Sequence, residues 1–154
     1  MNEYPDIERC KKIEKYFGSN VTACYWCEWG TEPSLASYIE SCMKVEQLKD
    51  EERDTLEITL FKAPSIAEML EVMPHIIVIP ELDGRPEIWQ HFFIGRGVLP
   101  LVCALFPDED KKNVTWKVGY DGLKGFNNKS LPNALADTIY WLGENGYIKE
   151  VGCE

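Results

Sequence analysis

The sequence predicts an α+β fold, an antiparallel β-sheet packed with helices as an α/β layered sandwich. Strand-like segments follow one another across residues 75–121, which disfavours a regular alternation of strands and helices. Helix-like segments with start or stop signals flank that stretch. The chain has 154 residues, of which 45% are hydrophobic. Residues 1–154 are therefore expected to form a single domain, because each half would be small and marginal alone.

The first segments predict a helix followed by a strand. Residues 6–17 begin with Asp6, whose side chain can accept a hydrogen bond from an amide of the first helical turn. Apolar residues recur along one side of this segment, and Gly18 begins the stretch that ends it. Residues 21–29 are rich in aromatic side chains and predict a strand.

A second helix is predicted over residues 33–48, beginning at Pro33 or Ser34. The charged residues 49–54 predict a loop, and residues 55–61 alternate apolar and polar side chains as a half-buried strand does. The inward side of the predicted helix comprises Leu35, Tyr38, Ile39, Cys42 and Met43.

The next helix has the clearest local signal in the chain. Ser65 and Glu68 are spaced as a capping box, in which each side chain accepts a hydrogen bond from the backbone amide of the other residue. Apolar residues follow at helical spacing up to Met73, and Pro74 closes the helix.

Residues 75–121 predict the strands of the sheet. A β-branched run over 75–82 ends at Asp83-Gly84, a dipeptide typical of tight hairpin turns. Residues 86–94 predict an aromatic strand, which Gly95-Arg96-Gly97 is expected to break as a bulge or tight turn. The remaining segments are a strand over 98–106, a polar loop over 107–113 and an alternating strand over 114–121.

The last helix is predicted to begin near Ser130, with Pro132 tolerated in its first turn and Gly146 just beyond its end. Tyr140 and Trp141 lie off its main apolar stripe, so one of them is expected to point outward. The stripe comprises Leu131, Ala134, Leu135, Thr138, Ile139 and Leu142.

The charge balance bears on partners and location. The formal net charge is −10, which opposes general nucleic-acid binding because phosphate contacts need clustered basic residues. No apolar run is long enough to span a membrane, and the first residues lack the pattern of a signal peptide. We therefore expect a cytoplasmic protein with no membrane partner.

Acidic runs and surplus aromatics predict a protein-binding surface. A basic partner protein suits an acidic face, and interfaces are enriched in Trp and Tyr. A homo-oligomer is also compatible with such a surface. The alternative is that the acids serve only solubility. The predicted partner-binding residues are Glu51, Glu52, Asp54, Asp108, Glu109, Asp110, Tyr140 and Trp141.

The cysteines and histidines predict no catalytic residue, cofactor or metal site. Cys24 and Cys27 have the spacing of half a zinc site or of a redox pair, but they lie within a predicted strand and would point to opposite faces. We expect the six cysteines to be free thiols that pack as small hydrophobes. A hydrolase-like enzyme remains an alternative, for which His91 and Cys103 on neighbouring strands would be a candidate pair.

A second alternative is a binder of small molecules, such as a sponge for a nucleotide signal. Arg85 and Arg96 supply positive charge for an anionic ligand, and Trp89 supplies an aromatic wall.

Four segments resemble small uncharacterised accessory proteins of bacteriophages and prophages in gut bacteria. They are 4–12 (YPDIERCKK), 63–70 (APSIAEML), 129–136 (KSLPNALA) and 141–148 (WLGENGYI). The resemblance covers roughly residues 4–17 and 63–148, and its motifs are helix caps and core patterns. It implies a phage origin, the cytoplasm of a bacterial host cell as the location, and a small layered fold, and it assigns no catalytic residue. Since such proteins often bind and inhibit host machinery, we expect a non-enzymatic protein that binds a host protein, with an anti-defence inhibitor as one form.

Overall fold

The computed structural model describes residues 3–18, 24–29, 32–37, 59–97 and 115–152. Over these residues the chain is an α+β fold with two antiparallel sheets and helices that pack on the sheet, which confirms the predicted fold class. The helices are α1 (Ile7–Ile13), followed by a 3₁₀ turn (Glu14–Tyr16), α2 (Ile66–Val72) and α3 (Leu131–Glu144). The strands are β1 (Cys24–Trp29), β2 (Glu32–Ser37), β3 (Thr59–Ala63), β4 (Ile76–Ile79), β5 (Ile88–Gly97), β6 (Thr115–Tyr120) and β7 (Lys124–Asn128).

The first sheet has the strand order β2-β1-β3. The helix predicted from Pro33 onward is wrong over residues 33–37, because these residues belong to strand β2. This strand pairs with β1 from Trp29 opposite Glu32 to Cys24 opposite Ser37. Pro33 fits this position because β2 pairs only with β1 among the described strands, and a proline is tolerated where a strand has an unpaired side. The predicted strand over 21–29 is confirmed for β1, and the one over 55–61 for the three residues of β3 that it includes.

The second sheet has the order β4-β5-β6-β7. The turn at Asp83-Gly84 is confirmed, since both residues have positive φ angles (49° and 78°) and the hairpin joins β4 to β5. The break predicted at Gly95-Arg96-Gly97 is wrong. These residues continue β5, because the ladder to β6 runs without interruption to Gly97 opposite Thr115. The strand β7 was not predicted, and it pairs along β6 from Tyr120 opposite Lys124 to Trp116 opposite Asn128.

The predicted helix caps are confirmed. Asp6 accepts from the Arg9 amide at 3.0 Å, and the capping box of Ser65 and Glu68 is complete in both directions. Ser130 caps α3. At the other end of α3, Gly146 adopts a φ of 75°, and the amides of Gly146 and Tyr147 bond back to the carbonyls of Gly143 and Leu142. This pair of bonds is the Schellman arrangement that favours glycine just beyond a helix end.

The core lies where α3 packs on β6 and β7, with α1 and α2 beside it. The buried stripe of α3 includes Leu135, Ile139 and Leu142, which are fully buried. An ion-pair network joins α1 to α3, because Arg9 binds both carboxylate oxygens of Asp137, at 2.8 and 3.2 Å, and one of Asp6, at 2.5 Å. The indole of Trp26 on β1 donates to the Pro5 carbonyl at 2.9 Å and so ties the first sheet to the start of α1.

Several predictions concern residues outside the described ranges. They include the continuation of the predicted second helix beyond residue 37, the loops over 49–54 and 107–113, and the strand over 98–106. The acidic residues of the predicted partner site, together with Cys103 of the proposed His-Cys pair, also lie there: Glu51, Glu52, Asp54, Asp108, Glu109 and Asp110.

Candidate interaction face

The two faces of the second sheet have different surroundings. Even-numbered residues of β5 and β6 point toward the helices: Val118 and Tyr120 are buried in the cluster that α3 completes, and Phe92 packs against it. The hydroxyl of Tyr120 donates to the Pro74 carbonyl at 2.5 Å, and burial raises the pKa of this phenol. Odd-numbered residues therefore point to the opposite face, because side chains alternate along a strand.

That opposite face carries large apolar side chains in contact with solvent. In the register of the sheet Val78 lies opposite Trp89, and Ile76 lies opposite His91. The exposed fractions are 57% for Trp89, 46% for Val78 and 36% for Ile76. Together with the half-buried Phe93 and the exposed Lys117, these side chains form what we call the open sheet face. Contiguous exposed apolar groups of this kind mark sites of interaction.

Glycines occupy several positions of the open sheet face, and the side chains of Lys117 and Phe93 cover the one at Gly125. Phe93 lies opposite Gly119, which lies opposite Gly125, and Gly95 lies opposite Lys117. A cavity of about 290 Å³ adjoins this region, lined by Phe93, Lys117 and the turn that joins β6 to β7. Its volume falls just below the 300–1,000 Å³ typical of pockets for drug-sized ligands. The cavity therefore suits either a ligand smaller than that class or one large side chain.

The charged groups of this face lie toward opposite ends of β5. At one end the Glu87 carboxylate accepts a hydrogen bond from the Trp89 indole at 2.5 Å. At the other end the Lys117 ammonium lies 5.6 Å from the ring centre of Phe93, a cation–π contact. Among the described residues Lys117 forms no ion pair with a carboxylate. Eight residues of extended chain separate Glu87 from Gly95, the neighbour of Lys117, which is ~26 Å at ~3.3 Å per residue.

The structure does not bring the residues of the predicted small-molecule site together. Trp89 and Arg96 are seven positions apart on β5 and so lie on opposite faces of the sheet. The guanidinium of Arg96 stacks 5.3 Å from the ring of Trp116 on the helix-facing side. Arg85 lies in the β4–β5 hairpin, where its amide bonds to the Leu82 carbonyl.

The two aromatics of the predicted partner site are placed differently from each other. Tyr140 is 37% exposed on α3, and the ammonium of Lys12 lies 5.6 Å from its ring. Trp141 is half-buried, and its ring packs 5.4 Å from that of Tyr147. Tyr140 is thus the outward one of the pair, and it lies on α3, apart from the open sheet face.

Within the described ranges, Cys10 and Cys24 are thiols that form no disulfide. Burial raises the pKa of Cys10 to about 12, so its nucleophilic thiolate is scarce at neutral pH. Tyr4 forms a hydrogen bond with Cys24. This hydrogen bond, and to a smaller extent burial, raises the pKa of the Tyr4 phenol to about 12. Within the described ranges, no group of three or more His, Cys, Asp or Glu side chains is arranged to hold a metal ion.

Comparisons with protein families, curated proteins and solved structures give no match to this chain. None of the helices in the described part of the chain has both the length and the apolar character needed to cross a membrane. The function is therefore inferred from the residues of the chain itself.

Proposed function

We propose that the chain is a non-enzymatic accessory protein of phage type that binds a host protein, with inhibition of an antiviral defence as one form of this activity. The observation that carries the binding role is the open sheet face, on which Trp89, Val78 and Ile76 are exposed side by side. The phage origin rests on the resemblance of the sequence segments described above.

Physical reasons favour protein binding over catalysis for this face. A protein interface gains most of its affinity from a few large side chains that become fully desolvated, and Trp is prominent among them. An exposed Trp89 beside Val78 and Phe93 supplies such a cluster on a rigid sheet. The Cys10 thiol, by contrast, is buried, and its pKa is shifted away from reactivity.

The test compares two exposed aromatics on different surfaces. Wild-type protein is used to capture partners from a bacterial host lysate, and the captured protein is then titrated against wild type, Trp89→Ala and Tyr140→Ala. We expect Trp89→Ala to weaken binding of that partner at least tenfold. Truncating a Trp that carries binding energy at an interface costs more than ~1.4 kcal/mol, which corresponds to a tenfold change in affinity. Tyr140→Ala alters an exposed aromatic that the sequence predicts at the partner site, and it should retain wild-type affinity because Tyr140 lies on α3, apart from the open sheet face. A loss of affinity confined to this variant would place the docking site on α3 instead. Equal affinities for the two variants would exclude the open sheet face as the docking site.

A small-molecule binder is the second candidate, which the 290 Å³ cavity beside Phe93 and Lys117 favours. Its position differs from the residues expected from the sequence. A native mass spectrum of freshly purified protein tests this candidate, because a retained ligand adds mass. A ligand that is lost in Lys117→Ala but kept in Arg96→Ala would favour this function over protein binding.

A further inference from the structure

We propose that the cavity beside the β6–β7 turn binds a small aromatic carboxylate, a planar ring that carries one negative group. The inference rests on the small-molecule candidate of the proposed function and names the chemical class of its ligand. It involves no host protein, so purified protein alone tests it.

The volume of the cavity sets the size of the ligand. The cavity measures about 290 Å³, whereas a water molecule takes up ~30 Å³ in the liquid, so the space holds about ten non-hydrogen atoms. Phenylacetate, a benzene ring joined to a carboxylate through one carbon, is of this size. A nucleotide is much larger and would extend into solvent.

The charge of the lining favours an anion. Two lysines and one aspartate, Lys117, Lys124 and Asp121, give the lining a net charge of +1 in a chain whose net charge is −10. The ammonium of Lys124 lies 5.5 Å from the ring centre of Phe126, which is not part of the lining. Lys117 pairs with no carboxylate within the described ranges. We therefore expect Lys117 to bind the carboxylate of the ligand through a charge-assisted hydrogen bond.

The side chains of Lys117 and Phe93 converge over Gly125. A methyl group built on Gly125 would lie 3.0 Å from Cε of Lys117 and 3.5 Å from Cζ of Phe93. The Lys117 ammonium lies 5.6 Å from the ring centre of Phe93. A carboxylate bound to this ammonium lies close to the Phe93 ring. An aromatic group one carbon away can then pack on Phe93 in the offset or edge-to-face geometry that aromatic pairs prefer.

Asp121 selects against a second negative charge. It belongs to the β6–β7 turn, and its amide donates to the His91 carbonyl at 3.0 Å, which fixes its backbone beside the cavity. A dianion such as phosphate would place its second charge near this carboxylate, and like charges brought together are costly. One carboxylate matches the net charge of the lining.

A ligand series tests the assignment. Isotope-labelled protein is titrated with phenylacetate, acetate, phenethyl alcohol, phenethylamine and inorganic phosphate, and the backbone amide shifts of Gly122, Leu123 and Gly125 report binding at the cavity. Phenylacetate should shift these amides saturably. Acetate lacks the ring and phenethyl alcohol lacks the charge, so each should bind about tenfold more weakly or worse.

Variants separate the contributions of Lys117 and Phe93. Lys117→Gln should weaken phenylacetate binding about fivefold or more, whereas Lys117→Arg keeps the charge and should stay within about twofold. Phe93→Leu should weaken phenylacetate binding about threefold and leave acetate binding unchanged, because only ring packing is lost. Lys149→Gln is the matched control, since it removes the same charge from an exposed position outside the lining, and it should retain wild-type affinity. Circular dichroism on every variant confirms that the sheet is folded.

Each outcome decides the inference. A preference for phenylacetate that depends on Lys117 and Phe93 supports it. It is overturned by a preference that is indifferent to Lys117→Gln, by acetate or phosphate binding as well as phenylacetate, by tighter binding of phenethylamine, or by cavity amides that do not shift at any soluble concentration. A retained ligand that is lost in Lys117→Ala keeps the small-molecule candidate even if phenylacetate fails. Loss of a host protein in Trp89→Ala supports the protein-binding role whichever small ligand binds.

Discussion

Gly119 in β6 allows a sharp test of how closely β6 and β7 approach. A methyl group added there would lie 2.0 Å from the Lys124 carbonyl oxygen and 2.7 Å from the Gly125 Cα. Both atoms belong to the backbone, so no side-chain rotation relieves the contact. The β7 backbone would have to retreat by about 1.4 Å to restore even the 3.4 Å of an ordinary contact.

The expected loss for Gly119→Ala follows from this displacement. Overpacking a close contact costs about 1–3 kcal/mol, and each ladder hydrogen bond that opens removes about 1 kcal/mol more. The ~0.5–1 kcal/mol that Ala gains over Gly within a strand offsets only part of this loss. We therefore expect the free energy of unfolding to fall by about 3 kcal/mol. For a domain of this size that corresponds to a fall in Tm of about 6–12 °C.

Gly95→Ala is the matched control on the same face of the same sheet. A methyl group at Gly95 meets nothing within 4 Å, so this variant should equal the wild type or gain about 0.5–1 kcal/mol. Urea denaturation followed by circular dichroism measures both variants. One protein concentration is used throughout, because self-association adds to apparent stability. Equal midpoints for Gly119→Ala and Gly95→Ala would refute the close approach of β7 to β6.

Three further outcomes follow from local contacts. Ser65→Ala should lower the free energy of unfolding by about 1 kcal/mol in urea denaturation, because it removes the cap and half of the capping box with Glu68; an unchanged midpoint would mean that α2 does not begin there. Arg9→Lys should lower the free energy of unfolding by about 1–2 kcal/mol, because it removes the paired contact with Asp137. Adding Asp137→Asn should lower the free energy of unfolding little further, because both changes remove the same contact. Cys10 should resist iodoacetamide at pH 8 in the folded protein, because its pKa near 12 leaves almost no thiolate; peptide mapping that finds equal labelling with and without denaturant would contradict its burial.

Signals that act within a few residues were predicted well. The capping box at Ser65, the cap at Asp6 and the glycine after α3 each depend on hydrogen bonds between near neighbours in the chain. Such signals keep their meaning whatever the rest of the chain does. The same holds for the Asp83-Gly84 turn, in which the positive φ angles are a local requirement.

Signals that depend on pairing with distant strands were missed. Pro33 and Ser34 suit a helix start as well as an edge strand, and β1 decides the outcome. Gly95-Arg96-Gly97 has poor strand propensity, yet β6 supplies a continuous ladder for it. The polar segment of β7 likewise becomes a strand through its partner β6.

The open sheet face was found only in part from the sequence. Trp89 was singled out, although as a wall for a small ligand with Arg96. The apolar run around Ile76 and Val78 lacks an alternation that would show which side meets solvent. Side chains alternate along a strand, so an unbroken β5 would have placed Trp89 and Arg96 on opposite faces. The break expected at Gly95 prevented this conclusion from the sequence.

The ties between α1 and the end of the chain affect how the protein is made. Arg9 and Asp137 are 128 positions apart, and the Asp6 amide donates to Asn133 across 127 positions. At about 5–20 residues per second, a ribosome needs about 6–25 s to add the intervening residues. The seven residues of α1 are too few to hold a helix alone in water, where about 12–15 are needed. Newly made Ile13 and Tyr16 therefore remain without α3 until more than 100 further residues have been synthesised, and chaperones can bind them during that interval.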